Sequence, residues 1–534
     1  MKFHSPLFIS VAVASLSLPH LASAQGDHPY RQVFEIQGQE QGDGFGSAIC
    51  GLGDVDGDGV NDFMVSAPSA MVDSTPNVGK VYVYSGKSQS VIYTLDGYRS
   101  YRNFGQTLAP GGDINMDGYA DFLIGQPKYS SSHRGMVWAY TGKTGQILDT
   151  HYGSYSDYGN GASIDGGFNF DDDGYDDYIV GSRGYVSVYS GRNGYRLFYF
   201  CPSIGPDYGK KVGGLKDIDG DGIDDFAIGD PRLTGGRVDV HSGETGRLIY
   251  AIGAEIQDTL FGRDFDQISD INSDGVGDII VTTKEGWKIF SGANGSLIRG
   301  HTIGGFESAD WFRVSTLGDL NRDGTVDFLI STPSSTTGSN PKATCWDGAT
   351  IKEFFTIEGS ADDVHYLSIA KLGDSDDNRD VELLVGNLSG ISAGTGLVKS
   401  LELNTYLQSG VHEISASKGG NVVFRIDFPD DFADLEYRML ISKSGDGPAQ
   451  FGVAVPLTPD TLTRDSLSGN YPVNTHYNMH GTLDFEGSAW ASFAFPKNMP
   501  NSMIGQCFRF AAVAAPEGSL PVISSGRQAI DIVP

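Results

Sequence analysis

Asp54, Asp56, Asp58 and Asp62 stand at positions 1, 3, 5 and 9 of one short stretch, Gly53 to Pro68, which reads GDVDGDGVNDFMVSAP. Alternate acidic side chains on a tight turn converge on one point. A point lined with oxygens suits a hard cation that takes roughly six to eight of them, calcium above all. Gly59 lets the backbone turn sharply enough for the carbonyl of Val60 to join as a ligand. An EF-hand opens the same way but needs flanking helices and a glutamate at position 12. Here position 12 is Val65, inside the apolar run Phe63-Met64-Val65. The expected element is a calcium loop between two β-strands.

The loop repeats. Asp113, Asn115, Asp117 and Asp121 form a second copy, with Tyr119 at the carbonyl position. Asn169, Asp171, Asp173 and Asp177 form a third, with Tyr175. Asp217, Asp219, Asp221 and Asp225 form a fourth, with Ile223, and Asp270, Asn272, Asp274 and Asp278 a fifth, with Val276. Asp319, Asn321, Asp323 and Asp327 form a sixth, with Thr325. Asp374, Asp376, Asn378 and Glu382 form a degenerate seventh, with Arg379 where glycine belongs. Five to seven calcium ions are expected, with copies three and seven the weakest. The plain alternative is a set of solvated acidic turns. First positions lie 59, 56, 48, 53, 49 and 55 residues apart, a period that signals a propeller or solenoid.

Each repeat carries four strand signals. In the first, Phe45-Gly46 opens a strand that runs to Gly53, and Phe63 to Ser66 is the second. Lys80 to Tyr84 alternates at period two and is the third; Ser85-Gly86 turns it into Val91 to Leu95. Four antiparallel strands per repeat, repeated sevenfold, fit radial packing of small sheets. The seventh repeat lacks a fourth strand. Val33 to Gly38 matches the fourth strand Phe354 to Gly359 and is expected to fill that gap, leaving no open edge.

The aromatic-glycine openings are Phe45-Gly46, Phe104-Gly105, Tyr158-Gly159, Tyr208-Gly209 and Phe261-Gly262. The exits are Ser66-Ala67-Pro68, Gly125-Gln126-Pro127, Gly229-Asp230-Pro231 and Ser331-Thr332-Pro333. With the DxDxDGxxD loop between them, these resemble FG-GAP repeats, the seven-bladed β-propeller of integrin α subunits. The resemblance covers about residues 30–403; Trp311-Phe312 and Tyr366-Leu367 depart from it. It implies an all-β fold, a seven-bladed propeller of FG-GAP repeats over 25–404; a C-terminal β-sandwich over 405–534 is expected to follow. That second domain is read from the alternation of Val422, Phe424, Ile426 and Phe428 and from further strand signals up to Val533. Nothing in the chain resembles an inserted ligand-binding domain or a cytoplasmic tail, so a secreted propeller of bacterial style is expected rather than a complete integrin.

Composition and the first residues set the compartment. Lys2, the apolar run Leu7 to Leu18 and Ala22-Ser23-Ala24 read as a signal peptide over 1–24, cleaved before Gln25. No later run is long enough to span a bilayer. The net charge of −30 argues against nucleic acid or an anionic membrane as partner. Cys50, Cys201, Cys345 and Cys507 propose neither a disulfide pair nor a zinc site, and are expected to be unpaired and mostly buried.

Other chemistry is thin. Gly142-Lys143-Thr144 mimics the end of a P-loop, but the earlier glycine is missing because position 137 is Val. His476 and His480 are read as loop residues rather than a helical metal pair. The expected function is a secreted, monomeric, calcium-binding propeller that binds an extracellular protein or glycan in adhesion. The alternatives are a propeller-based polysaccharide lyase or hydrolase, or a structural cell-surface component. No catalytic residue is assigned. Tyr98, Arg99, Tyr101, Arg102, Tyr129, Arg134, Tyr152 and Tyr155, on the face opposite the calcium loops, are the expected ligand surface.

Overall fold

The computed structural model describes residues 30–97, 103–127, 135–153, 159–202, 207–231, 235–253, 260–303, 312–320, 325–333, 340–348, 351–359, 367–375, 381–387 and 395–403, and, further on, 407–409, 413–428, 434–443, 449–450, 454–455, 461–467, 476–484, 488–516, 519, 521, 523–524 and 528–534. The chain divides into two compact units at Thr405/Tyr406.

The first unit, Pro29–Thr405, holds seven four-stranded antiparallel sheets. Six are made of consecutive strands; the first runs Ile49–Gly51, Phe63–Ala67, Lys80–Tyr84 and Val91–Asp96. The seventh takes its outer strand from the other end of the unit: Tyr30–Gln37 pairs antiparallel with Leu397–Leu403. The first strands of successive sheets touch one another in a ring, which makes each sheet a propeller blade.

Strand alternation explains how the blades hold together. A strand sends successive side chains to opposite faces, and a blade has a neighbour on each face. Phe63 and Val65 therefore pack toward blade seven, with Leu384 and Val398, while Met64 packs toward blade two, with Phe122 and Ile124. Every second strand is buried on both faces, which is why Phe63–Ala67 and its copies read as unbroken apolar runs. Seven clusters result, one at each junction between neighbouring blades. Three junctions add a histidine to an aromatic stack. His151 stacks on Tyr189 and lies against Tyr178, His241 against Phe200 and Phe226, and His301 against Trp287 and Trp346. Burial holds His151 and His241 below the usual imidazole pKa.

Several local expectations need correction. Phe45-Gly46 does not open a strand; the strand starts at Ile49. The pair forms a turn in which Gly46 (φ 85°) donates its N–H to the Ser66 carbonyl. Gly105, Gly161, Gly209 and Gly262 repeat that bond. In blade three the equivalent pair is thus Asn160-Gly161, not Tyr158-Gly159. Asn160 is buried and replaces ring packing with hydrogen bonds to the His151 carbonyl and from the Ser182 hydroxyl. Cys50 and Cys345 are free and buried, but free Cys201 is exposed.

In the second unit, one sheet orders Leu407–Ser409, Gly420–Asp427, Ser488–Phe495 and His476–Tyr477. The other orders Glu413–Ser415, Gln528–Val533, Cys507–Ala515, Glu436–Ser442 and His480–Thr482, with Ile523–Ser524 beside Cys507–Ala515. Phe424 and Phe493 of the first sheet meet Phe510 of the second in a single core, which makes a sandwich. His476 and His480 lie on strands of different sheets, not on a loop. A short helix, Thr461–Leu467, is not signalled by the sequence pattern. It is pinned to Ile441 by the Thr463 and Ser466 hydroxyls. No helix among the described residues is long and apolar enough to cross a membrane.

Candidate metal centres

Each acidic loop joins the first two strands of its blade, and its first carboxylate organises it. In loop one, Asp54 Oδ1 accepts from the N–H of Gly57 (2.6 Å) and Asp58 (3.1 Å), and Oδ2 from Gly59 (2.8 Å). Asp113, Asp217 and Asp270 are held in the same manner. Asn169 has one acceptor oxygen instead of two and takes only the Asp173 N–H, at 3.2 Å. The fifth position accepts from the seventh in loops one to five: Val60, Tyr119, Tyr175, Ile223 and Val276 donate to Asp58, Asp117, Asp173, Asp221 and Asp274.

In loops one to five, two residues per loop adopt left-handed backbone. One is the expected sixth-position glycine, as at Gly59 (φ 86°). The other is position four, filled by Gly57, Met116, Asp172, Gly220 and Ser273. Sequence reading missed it because only two of the five are glycine.

The ninth carboxylate does more than face a cation. Asp62, Asp121, Asp177, Asp225, Asp278, Asp327 and Glu382 are all fully buried. Asp62 Oδ2 accepts from Val55 N–H at 2.7 Å, and Oδ1 from Gly86 N–H at 3.0 Å in the turn between strands three and four. The same two-way clamp recurs at Asp177, Asp225, Asp278 and Asp327. The turn glycine is obligatory: a methyl on Gly86, Gly142, Gly191, Gly243, Gly292 or Gly348 would collide with the eighth-position carbonyl. The Ser-Gly and Thr-Gly turns are therefore part of the site. Ser291 also donates to Asp274, at 2.8 Å.

Burial raises the ninth carboxylates, Asp62 and Asp225 to about 6 and Asp121 and Asp177 to about 7. Such groups gain from a cation beside them. Three carboxylate oxygens lie within 4.8 Å of one another in loops one (Asp54, Asp56, Asp58), three (Asp171, Asp173, Asp177), four (Asp217, Asp219, Asp225) and five (Asp270, Asp274, Asp278). Loop two brings a different fit. Asn115 Oδ1 and Asp121 Oδ2 are buried oxygens without a hydrogen-bond partner among the described residues, the state expected of atoms that wait for a cation. The donor set is all oxygen, as calcium requires. In loop six Asp319, Thr325 and Asp327 are described while Asn321 and Asp323 lie outside the described residues. In loop seven Asp374 and Glu382 are described, and Asp376 and Asn378 are not.

A second charged group had no sequence signal. The first strands present free inner edges, and side chains from one blade bond the edge N–H groups of the next. Asp165 takes Gly214 N–H (3.0 Å), Asp266 takes Thr316 N–H (2.9 Å) and Asp264 takes Val314 N–H (3.3 Å). Lys211 reaches Asp264 at 3.0 Å. Burial opposes its charge, but Asp264, Asp266 and Asp165 outweigh it and raise its pKa. These groups are spoken for as inter-blade staples. Of the expected ligand surface, Tyr152 is exposed at the end of a blade-two outer strand, and the other residues named for it lie outside the described residues.

The FG-GAP repeat model matches residues 45–84 and 104–140. Mouse integrin alpha-IIb is 33% identical over 178 residues, covering 30% of this chain and 17% of that protein. Integrin alpha-5 of Xenopus laevis is 32% identical over 180 residues, with 30% and 17% covered. Integrin alpha-PS2 of Drosophila melanogaster is 32% identical over 170 residues, with 28% and 12% covered. The matched stretch thus spans about a sixth or less of these relatives. Repeats, blades and loops agree: the chain carries FG-GAP repeats at 45–84 and 104–140 and is similar over that part of its length to integrin alpha subunits.

Proposed function

We propose that the protein is a secreted, calcium-stabilised propeller that binds an extracellular protein or glycan, in an adhesion setting. The observation that carries this reading is the repeated convergence of three carboxylate oxygens within 4.8 Å in the same loop of blades one, three, four and five. Kinship with integrin alpha subunits supports an adhesive role. Bound calcium would supply the positive charge that the buried ninth carboxylates lack. The chain's own residues do the rest. First-position aspartates wrap the loop, fifth-position aspartates fix the seventh residue, and ninth-position aspartates tie the loop to the outer turn of the same blade. The role of the ion is structural: it locks that corner, and the opposite face is left to bind.

The test is thermal melting with and without chelator. At roughly ten times its dissociation constant one calcium adds about 1.4 kcal/mol, and several loops together would add several kcal/mol to a total of roughly 5–15. A fall of many degrees in EDTA is expected; overlapping curves would refute the reading. A protein and glycan array, run beside a polysaccharide-degradation screen, tests binding against the enzymatic alternative.

A further inference from the structure

Neighbouring calcium loops are joined through their eighth positions. Ala120 of loop two donates its N–H to the carbonyl of Asp54, the first residue of loop one, at 2.9 Å. Asp176 of loop three does the same to Asp113 of loop two at 3.4 Å, and adds a side-chain bond: its Oδ2 accepts the Asp113 N–H at 2.7 Å. Asp224 of loop four accepts the Asn169 N–H of loop three at 3.2 Å, and also pairs with Lys216 at 2.9 Å. The approach is close enough to dictate sequence. A methyl on Gly112, just before Asp113, would strike the Asp176 carboxylate. The link is selective, because position eight is Gly277 in loop five and Val326 in loop six, which have no acceptor side chain.

Asp113 is the residue around which loop two winds, and it is gripped from two sides. Its own loop binds its carboxylate through Asp117 and Gly118; loop three binds its backbone through Asp176. Asp176 is covalently next to Asp177, the ninth-position ligand of loop three, so whatever fixes Asp177 fixes the neighbour that holds Asp113.

We infer that Asp176 and Asp224 are positioning residues that couple adjacent calcium loops, so that loops two, three and four fill as a linked set rather than independently. The inference rests on the loops holding calcium. An ion in loop three holds Asp177, steadies Asp176 and presents Asp113 ready for its own ion. Linkage makes the effect reciprocal.

The experiment is calcium titration of the full chain by calorimetry, with ions counted by native mass spectrometry. Asp176→Ala should weaken the second of the two ions that enter loops two and three by roughly five- to thirtyfold, whereas Asp113→Ala should abolish the loop-two ion outright. The double variant should then bind as many ions as Asp113→Ala alone, and Asp176→Asn, which keeps an acceptor oxygen, should restore wild-type titration. Melting adds a readout that a purely structural role would not move: the loss in Asp176→Ala should be larger in calcium than in EDTA. The inference is overturned if the double variant loses a further ion, if Asp176→Ala titrates as wild type, or if its melting loss is the same in both conditions. Absence of calcium binding in the wild-type chain would instead refute the underlying reading and the coupling with it.

Discussion

Asp225→Ala separates the two roles of an acidic loop. Asp225 is fully buried, and each of its oxygens takes one backbone donor: Ile218 N–H at 2.7 Å within the loop and Gly243 N–H at 2.9 Å in the outer turn. A hydrogen bond to a charged group contributes about 1.5–3 kcal/mol, and a buried donor left unpaired costs about 1–3 kcal/mol. Two such bonds put the loss at roughly 3–5 kcal/mol, a large share of a total of about 5–15. The clamp closes without an ion, so most of the loss should persist in EDTA. Asp221, in the same loop, donates its own N–H to Asp219 and accepts only from Ile223. Asp221→Ala should therefore cost little in EDTA and show its effect only with calcium, as the loss of one ion. Urea denaturation of both variants, with and without chelator, is the assay. The argument fails if Asp225→Ala is as stable as wild type in EDTA, or if both variants lose stability only in calcium.

Three further outcomes follow from other features. Lys211→Met should destabilise the propeller by about 2–4 kcal/mol, since it leaves the Asp264, Asp266 and Asp165 carboxylates without their cation; the figure is discounted for partial solvent access to Lys211, and chemical denaturation checks it. Met116→Gly should stabilise by about 0.5–1 kcal/mol, because Met116 is exposed with φ 55° and a left-handed penalty of roughly 1–2 kcal/mol outweighs the added freedom of glycine in the unfolded chain; a raised melting temperature would show it. Without metal, Asp62, Asp121, Asp177 and Asp225 keep protons in the folded state that the unfolded state has released, so stability should fall as pH rises from about 4 to about 7. In saturating calcium the order should reverse. Protons then compete with the ion, and His151 and His241, held low by burial, withdraw stability as pH falls below about 6.5. Melting at pH 5.5 and 7.5, with and without EDTA, checks both signs.

The loops were legible because their ligands lie within nine positions of one another, and spacing alone puts such residues on one turn. The blades were legible because a strand packed on both faces must be apolar throughout. What was hidden depends on contacts that close only in three dimensions. Lys211 meets Asp264 and Asp165 meets Gly214 across blade boundaries, and an aspartate that staples a strand edge looks in sequence like any other. The left-handed fourth position escaped because Met116, Asp172 and Ser273 occupy it without the glycine that would signal it. The Asn160-Gly161 pair escaped because the nearby Tyr158-Gly159 copies the motif two residues early. The ninth aspartate was read as a ligand only, since its bond to the outer turn spans strands two and three.

Tyr30–Gln37 completes the seventh blade, and its last residue bonds Thr395 across 358 positions of chain. During synthesis that strand is made before the other strands of the propeller and must wait for the last blade before it has a partner. Until then it is a lone edge, open to pairing with another copy of the chain. Closure is also the contact of longest sequence separation in the ring, the kind that slows folding most. A molecule with this strand removed would retain six complete blades and expose the Leu397–Leu403 edge, so the ring is fastened by a latch that is made before every strand it must close on.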